Sequence, residues 1–345
     1  MKLTLSDPPF PSIESVPTGI ARPFWSVVIP IYNRTRYLPD CLRSVLDQDP
    51  GPDQLEIIVQ DDCSTEDIGP VVEAHGRGRI QHVRNDRNLG LYGNTNAGLA
   101  RTTGRWIHVL HDDDWVQPGF YAAMRSAIEG APGDVGVCCC RYTNHHEPEG
   151  TTWSPQPFLP QAGRLDGWVF HIAVSNPLNI PAVVVKREVH ERIGGYVSAL
   201  SYTADWEFYI RSAARYPWWY IPDNLACYRV HPTNLTKDLW NSGEAAANLR
   251  LTIELAETYL PEAVRRRSLP IARLRNAKRS LQQAARAAKA NLNDAAWTLI
   301  QESLKLCGEP AIVAEAFALL ATPELAEVRT KLALVLAGVE LGDRR

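Results

Sequence analysis

Three consecutive carboxylates, Asp112-Asp113-Asp114, follow an apolar run with strand-like side chains at 107–110. Adjacent carboxylates repel one another by roughly 1 kcal/mol or more per close pair, so either solvent or a cation must separate their charges. A solvated turn or a helix N-terminus is one interpretation, because Asp before Pro118-Gly119 suits both. The other is a hard divalent cation held by oxygen ligands. The position after a strand favours the cation, since open α/β sheets bind ligands outside the carboxyl ends of their strands.

Two other groups of acids stand where chemistry is possible. Asp61-Asp62 ends a second strand-like run, and Asp205, followed by Glu207, lies near the start of a predicted helix. A site that binds a divalent ion, a planar heterocyclic base and a polar acceptor molecule would account for these acids. Simpler interpretations are that Asp62 caps the following helix and that Asp205 only interacts favourably with a helix dipole. Aromatic side chains accompany the acids at Tyr32, Trp115 and Trp206.

Strand and helix patterns alternate through the first part of the chain, as expected for βαβ units with right-handed crossovers. We therefore predict an α/β fold with a mostly parallel sheet flanked by helices. The predicted strands are 26–32, 55–60, 79–83, 106–110 and 135–140. The predicted helices between them are 37–46, 68–74, 92–101 and 118–129.

The second part of the chain is less regular. Residues 142–165 are rich in His, Pro, Gly and Thr and predict one long loop. Further strands are predicted at 182–186, 218–221 and 225–230, and helices at 187–193 and 204–215. From about Gly243 the pattern is all helical, with breaks at Pro261, Pro270, Pro310 and Pro323.

These patterns predict three segments. Residues 1–23 carry five prolines and are expected to form an extended arm. Residues 24–240 form the α/β domain, which divides into the halves 24–141 and 142–240. Residues 241–345 form a helical C-terminal region.

Composition narrows the partners and the location. A net charge of -3 gives no general attraction to nucleic acid, so no nucleic-acid partner is predicted. Seven cysteines, three of them in the run Cys138-Cys139-Cys140, include no Cys-x-x-Cys pair and indicate buried, reduced thiols. The chain has no signal-peptide pattern and no membrane-spanning apolar stretch. We therefore expect a cytoplasmic protein, with peripheral attachment to a membrane left open.

A basic stretch lies between residues 265 and 289, with no acid between Glu262 and Asp294. The usual meaning of such a stretch is a solvated helix face. The alternative is attraction to an anionic membrane surface, to which each nearby cation contributes about 1 kcal/mol. Oligomeric state stays open.

Five sequence blocks, in order, resemble family 2 glycosyltransferases of the GT-A fold over roughly residues 24–236. They are SVVIPIYNR (26–34), IIVQDDCSTED (57–67), NLGLYGNTNAG (88–98), the HDDDW-x-x-PG segment within 105–119, and GGY, TADWEFYIR and YRVH between 194 and 231. The resemblance implies a nucleotide-sugar donor, most often a UDP-sugar, with Mn²⁺ or Mg²⁺ and an inverting single displacement. It also implies a carbohydrate or glycoconjugate acceptor, with residues 24–141 as the nucleotide-sugar half of the domain and residues 142–240 as the acceptor half.

The resemblance also implies roles for individual residues. Asp205 matches the catalytic base, Asp113 matches the metal ligand, and His231 matches a residue that in some members completes the metal or diphosphate site. His231 and Asp114 also have structural interpretations, as an ordinary buried histidine and as an acid that fixes the turn. The residues that match or adjoin nucleotide-contacting positions are Pro30, Tyr32, Arg34, Asp62, Asn88, Asn96 and Asp112.

The chain departs from the family pattern at three positions. Thr95 stands where many members carry Arg, His111 replaces the first acid of the usual D-x-D spelling, and Ala204 stands where a second acid often precedes the base. These departures leave open a non-catalytic nucleotide- or sugar-binding module. A sugar-nucleotide pyrophosphorylase is disfavoured, because it would need a Gly-rich, basic signature where this chain has Tyr32-Asn33-Arg34. A processive synthase is disfavoured, since the chain has neither a Q-x-x-R-W segment nor membrane spans.

Overall fold

One mixed β-sheet runs through the first of two compact units, residues 1–232 and 233–345. The structure is a computed structural model that describes residues 10–330. Its strands are β1 (Trp25–Ile31), β2 (Leu55–Asp61), β3 (Ile80–Arg84), β4 (Trp106–Val109), β5 (Trp115–Val116), β6 (Val137–His146), β7 (Thr151–Trp153), β8 (Gly163–Arg164), β9 (Val183–Lys186) and β10 (Trp218–Val230). The main strand order is β3-β2-β1-β4-β9-β6-β10-β5, with β7 beside β6 and β8 beside β10.

Helices cover the sheet in the first unit and make up most of the described part of the second. Those of the first unit are α1 (Leu38–Leu46), α2 (Gly69–His75), α3 (Leu91–Arg101), α4 (Phe120–Gly130), α5 (Trp168–Val174), α6 (Arg187–Ile193) and α7 (Ala204–Ala213). Those of the second are α8 (Leu235–Asn241), α9 (Glu244–Tyr259), α10 (Glu262–Lys289), α11 (Asn293–Leu306) and α12 (Pro310–Leu320). Among residues 10–330, no helix combines the length and hydrophobicity that a bilayer crossing requires.

Parallel pairing of the first strands brings their carboxyl ends to one edge. β1 lies between β2 and β4, and all three pairings that join β3, β2, β1 and β4 are parallel. Ile31 pairs with Asp61, and Val28 pairs with Val109. The residues that follow these strands, among them Tyr32, Asp62 and the acidic triplet, therefore share one edge of the sheet. The α/β prediction is confirmed, although β9 pairs antiparallel to both β4 and β6 and makes the sheet mixed.

The predicted long loop at 142–165 is wrong, because the second half of β6, all of β7 and all of β8 lie within it. β6 continues to His146, pairs in parallel with β10 and pairs antiparallel with β7. The two strands predicted at 218–221 and 225–230 are a single strand, β10, with register shifts around Asn224. Helix α5 was not predicted. The polar residues of 142–146 hide their strand character, because one of the two strands that pair with them, β10, lies more than 80 residues away in the sequence.

The predicted break at Pro270 is also wrong, since this residue lies inside the 28-residue helix α10. Of the predicted N-terminal arm, residues 1–9 lie outside the described residues, and 10–23 contain neither helix nor strand. The last 15 residues of the predicted helical region, 331–345, also lie outside the described part. Cys138, Cys139 and Cys140 are buried in β6, and all seven cysteines are free thiols.

Candidate active site

The acidic triplet lies in the turn between β4 and β5 and is buried. Asp112, Asp113 and Asp114 are 2%, 5% and 1% exposed, respectively. Burial at this level excludes the solvated-turn interpretation. Taking three carboxylates out of water is costly unless other groups compensate their charges. The surrounding residues show how the charge is compensated.

The Arg34 guanidinium forms ion pairs with two of the three acids. Its Nε lies 2.9 Å from Asp112 Oδ2 and its Nη2 lies 3.2 Å from Asp112 Oδ1, while Nη1 lies 2.6 Å from Asp113 Oδ2. The planar guanidinium suits this paired arrangement. Arg34 comes three residues after the end of β1, so its contacts join the end of that strand to the acidic turn. The Arg34 side chain is 29% exposed.

His231 contacts the same acid from the end of β10. Its Nε2 lies 3.1 Å from Asp113 Oδ2. Burial opposes ionisation of Asp113, but the hydrogen bond with His231 and the charge of Arg34 hold the pKa of this carboxyl below its usual value. Burial and the neighbouring charge of Asp113 instead raise the pKa of Asp112 to about 8. Asp113 is therefore the acid of the triplet that stays ionised most readily.

Asp114 and His111 direct polar atoms to one place. Asp114 Oδ1 accepts a hydrogen bond from the Arg229 backbone N at 2.9 Å. Within residues 10–330, Asp114 Oδ2 and His111 Nε2 are buried and have no hydrogen-bond partner. One donor atom from each of His111, Asp113 and Asp114 lies within 4.8 Å of the others. One nitrogen and two carboxylate oxygens at this spacing fit a divalent cation.

Arg229 holds the acidic turn against β10. Its Nε donates to the Asp113 backbone O at 2.8 Å, and its guanidinium lies 4.4 Å from the centre of the Tyr37 ring and 4.6 Å from that of Trp115. Arg229 also pairs with Glu147, which accepts a hydrogen bond from Tyr37 Oη. Arg229 and Glu147 were not singled out by the sequence. Arg229 lies within the quoted YRVH block, whereas no sequence signal marks Glu147.

The residues predicted to contact the nucleotide include one exposed ring and one buried acid. Tyr32 is 46% exposed, whereas Pro30 is buried within β1. Asp62 Oδ1 accepts hydrogen bonds from Asn85 Nδ2 at 3.0 Å and from the Leu89 backbone N at 2.7 Å. The alternative role of Asp62 as a helix cap is excluded, because α2 has no side-chain cap.

Two of the predicted nucleotide contacts have other partners in the structure. Asn96 donates to the Tyr196 backbone O at 2.7 Å and accepts from the Tyr196 backbone N at 2.8 Å, which ties α3 to the chain before α7. Asn88 is exposed and accepts from the Gly90 backbone N at 3.0 Å. Thr95, one of the departures from the family pattern, is buried and bonds the Leu91 backbone O. Contacts of Asn88 and Asn96 with a nucleotide stay predictions.

Asp205 lies in the first turn of α7, within a polar setting that the sequence did not reveal. Asn176 Nδ2 donates a hydrogen bond to its Oδ2 at 3.0 Å. Burial raises the pKa of Asp205 to about 6, although hydrogen bonds such as that from Asn176 act in the opposite direction. Its neighbour Glu207 is buried in an ion pair with Arg211, which makes Glu207 structural. A carboxyl with a pKa near 6 is suited to accept a proton near neutral pH.

Comparison with known proteins identifies the family. Residues 26–180 match the profile described as glycosyl transferase family 2. The uncharacterized glycosyltransferase YwdF of Bacillus subtilis is 30% identical over 193 residues, which cover 55% of this chain and 68% of that protein. The chain belongs to glycosyltransferase family 2. An uncharacterized glycosyltransferase of Haemophilus influenzae is also 30% identical, over 54% of this chain and 60% of that protein. The chain thus matches less than two thirds of this relative's length.

Solved structures support the GT-A fold of this family 2 chain. S. aureus TarS 1-349 superposes with a TM-score of 0.60 at 16% identity and covers 91% of each chain. The Pyrobaculum calidifontis mannosyltransferase PcManGT, solved with GDP-Man and Mn²⁺, has a TM-score of 0.56 at 18% identity, covering 94% of this chain and 88% of that one. The predictions of a family 2 glycosyltransferase and of its fold are confirmed.

Proposed function

We propose that this family 2 protein transfers a sugar from a nucleotide-sugar to an acceptor hydroxyl with inversion at the sugar carbon. A UDP-sugar is the proposed donor. The observation that carries the proposal is the contact of Arg34 with Asp112 and Asp113, which joins the exposed Tyr32 edge to the buried acidic turn. A nucleoside diphosphate has an aromatic base at one end and charged phosphates at the other. The exposed ring of Tyr32 suits the base, and the positive charge of Arg34 suits the phosphates.

The donor is proposed to lie along the carboxyl ends of β1, β2 and β4. Tyr32 is exposed and available to stack on the base. Asp62 is proposed to accept a hydrogen bond from the base. Asp112 is proposed to contact the ribose. Arg34, which is partly exposed, supplies positive charge close to the expected position of the diphosphate. TarS has been solved with UDP and with UDP-GlcNAc, which supports a donor of this class.

The residues around the acidic turn fit Mn²⁺ or Mg²⁺. Asp113 is the proposed ligand, with His111 Nε2 and Asp114 Oδ2 nearby and His231 in contact with Asp113. When bound, a divalent ion would stabilise the negative charge of the leaving diphosphate. The PcManGT structure with GDP-Man and Mn²⁺ supports this proposal. Burial of these residues keeps water away from the charged groups and strengthens their interactions.

Asp205 is proposed to remove the proton from the acceptor hydroxyl. Direct attack by that oxygen on the sugar carbon, on the face opposite the departing diphosphate, forms one C–O bond as the other breaks and inverts the carbon. Asn176 holds the carboxyl in place through a hydrogen bond. A correctly placed base of this kind typically contributes 10²–10⁴-fold, roughly, to the rate.

Substitution of Asp205 by Asn tests the proposed chemistry. We expect release of nucleoside diphosphate from a panel of nucleotide-sugars and acceptors to fall by about 10²–10⁴-fold, while donor affinity is unchanged. Asp53→Asn, an exposed position in the same unit, is the matched control and should keep full activity. Retained turnover in Asp205→Asn would mean that another group is the base. Donor binding without any turnover by the unaltered protein would instead indicate a non-catalytic binding module.

A membrane surface is the further partner that we propose, through one face of α10. Helical spacing places Ile271, Arg275, Lys278 and Arg286 on the same side of this helix, and all four are exposed. Ile271 is 52% exposed. Glu262 is the only acid in the helix, and it pairs with Arg266 away from this face. Three cations around an apolar side chain suit an anionic lipid surface.

A further inference from the structure

The Nε2 of His111 is buried and has no hydrogen-bond partner within the described residues. His111 replaces the first acid of the usual D-x-D spelling. Asp114 is 1% exposed, and its Oδ2 also has no hydrogen-bond partner within the described residues. A buried polar atom left without a partner destabilises the fold, so two of them on neighbouring side chains call for a common explanation.

The side chains of His111 and Asp114 converge on the same space as that of Asp113. Each of the three residues offers one ligand atom, and these atoms lie within 4.8 Å of one another. A carboxylate oxygen and an unprotonated ring nitrogen both offer lone pairs, so they cannot satisfy each other. A cation between them satisfies both.

We propose that His111 is a direct metal ligand and that its nitrogen makes this site prefer Mn²⁺ and later transition metals over Mg²⁺. Mg²⁺ favours oxygen ligands and retains several waters, whereas imidazole binds first-row transition metals more tightly in the Irving–Williams order. A site with an acid at this position would offer oxygen only and would discriminate less. The proposal rests on the proposed metal-dependent function and assigns its ion preference to one residue.

A second imidazole must be distinguished from the first. His231 Nε2 lies 3.1 Å from Asp113 Oδ2. A histidine that bonds a ligating carboxylate orients it and does not need to touch the ion. The inference therefore assigns the metal–nitrogen bond to His111 and an orienting role to His231.

Mn²⁺ alone is the probe for the test. Pulsed electron paramagnetic resonance of Mn²⁺ bound to the full chain detects coupling to a directly bonded nitrogen. We expect this coupling in the unaltered protein and in His231→Asn, and its loss in His111→Asn. Titration calorimetry should show that His111→Asp lowers the ratio of Mn²⁺ affinity to Mg²⁺ affinity by at least about tenfold. Loss of a residue that only supports a metal ligand already lowers metal affinity by about 10–100-fold. Melting of the metal-free variants verifies that they fold.

Two results would overturn the inference. One is nitrogen coupling that persists in His111→Asn and disappears in His231→Asn. The other is an unchanged ratio of Mn²⁺ to Mg²⁺ affinity in His111→Asp. Both leave metal binding by the unaltered protein intact, so they contradict only the role of His111. Failure of the unaltered protein to bind either ion would contradict the metal-dependent function as well.

Discussion

At the scale of single residues, the site is organised by partners that neutralise buried acids. Arg34 and His231 both contact Asp113, while Arg229 fixes the backbone of the same turn. The residues that could be predicted from the sequence are those that stand at strand or helix ends, such as Asp113 and Asp205. Their partners could not be predicted, because a fold-dependent contact such as that of His231 with Asp113 spans 118 residues of sequence.

The raised pKa of Asp205 predicts a pH dependence of the reaction. Only the ionised carboxyl accepts a proton, so kcat/KM should rise with pH through a pKa of about 6 and level off above it. A pH–rate profile between pH 4.5 and pH 8, recorded with saturating metal, measures this. A flat profile across about pH 6 would contradict the role of Asp205 as the base.

Ionisation of Asp205 should also make the folding stability depend on pH. Because the pKa of Asp205 is raised from 3.8 to about 6, the folded state holds a proton that the unfolded state has lost between these values. Folding stability from this group is therefore lost as pH rises from about 4 to about 6. Asp205→Asn should melt at a higher temperature than the unaltered protein above pH 6, with a smaller difference near pH 4. An equal melting difference at both pH values would mean that the pKa is not raised.

At the scale of elements, the errors of sequence interpretation share one cause. Runs of apolar residues placed β1, β2 and β4 correctly, because these strands are almost entirely buried and most of their side chains are apolar. The outer half of β6 was taken for loop because its residues are polar and only partly buried. Its strand structure depends on pairing with β10, a contact that local sequence does not encode.

Helix α10 shows the same limit, since tertiary packing there overrides the effect of proline. Pro270 lacks the N–H that would bond the Arg266 carbonyl, and its ring crowds that carbonyl. Pro270 is exposed, so its replacement by Ala removes little packing. We expect Pro270→Ala to stabilise α10 by about 1–3 kcal/mol. Hydrogen exchange resolved to this helix is the suitable measurement, because whole-chain denaturation would mix the two units.

Pro310 provides the control for this prediction. It is the first residue of α12, where proline is favourable and its missing N–H has no helical partner in any case. Pro310→Ala should therefore leave exchange in α12 nearly unchanged. Faster exchange in α10 of Pro270→Ala would show that the proline shapes the packing of that helix.

At the scale of the whole molecule, the sheet combines two pairing patterns. The parallel part, β3-β2-β1-β4, follows from alternating strands and helices and was predictable. The remaining strands pair both parallel and antiparallel, and sequence order alone does not specify such pairing. The division of the first unit into donor and acceptor halves at residue 141 stays a prediction.

The proposed membrane face of α10 also concerns the whole protein. The full chain should float with vesicles that contain anionic lipid at low salt and should lose this binding at high salt. Combined charge reversal at Arg275, Lys278 and Arg286 should weaken binding at least about 100-fold, since each cation contributes about 1 kcal/mol. Reversal of three exposed arginines elsewhere, Arg87, Arg101 and Arg215, is the matched control. Equal loss in both triple variants, or no flotation of the unaltered protein, would contradict a specific lipid-binding face.

The central claim is that a nucleoside diphosphate binds at the acidic edge with a divalent ion held by Asp113. Titration calorimetry of UDP and GDP, with and without Mn²⁺, tests it directly in the unaltered protein, in Asp113→Asn and in the exposed control Asp53→Asn. The account predicts metal-dependent nucleotide binding that Asp53→Asn retains and that Asp113→Asn weakens by at least about tenfold. Nucleotide binding that needs no metal and is unchanged in Asp113→Asn would contradict it.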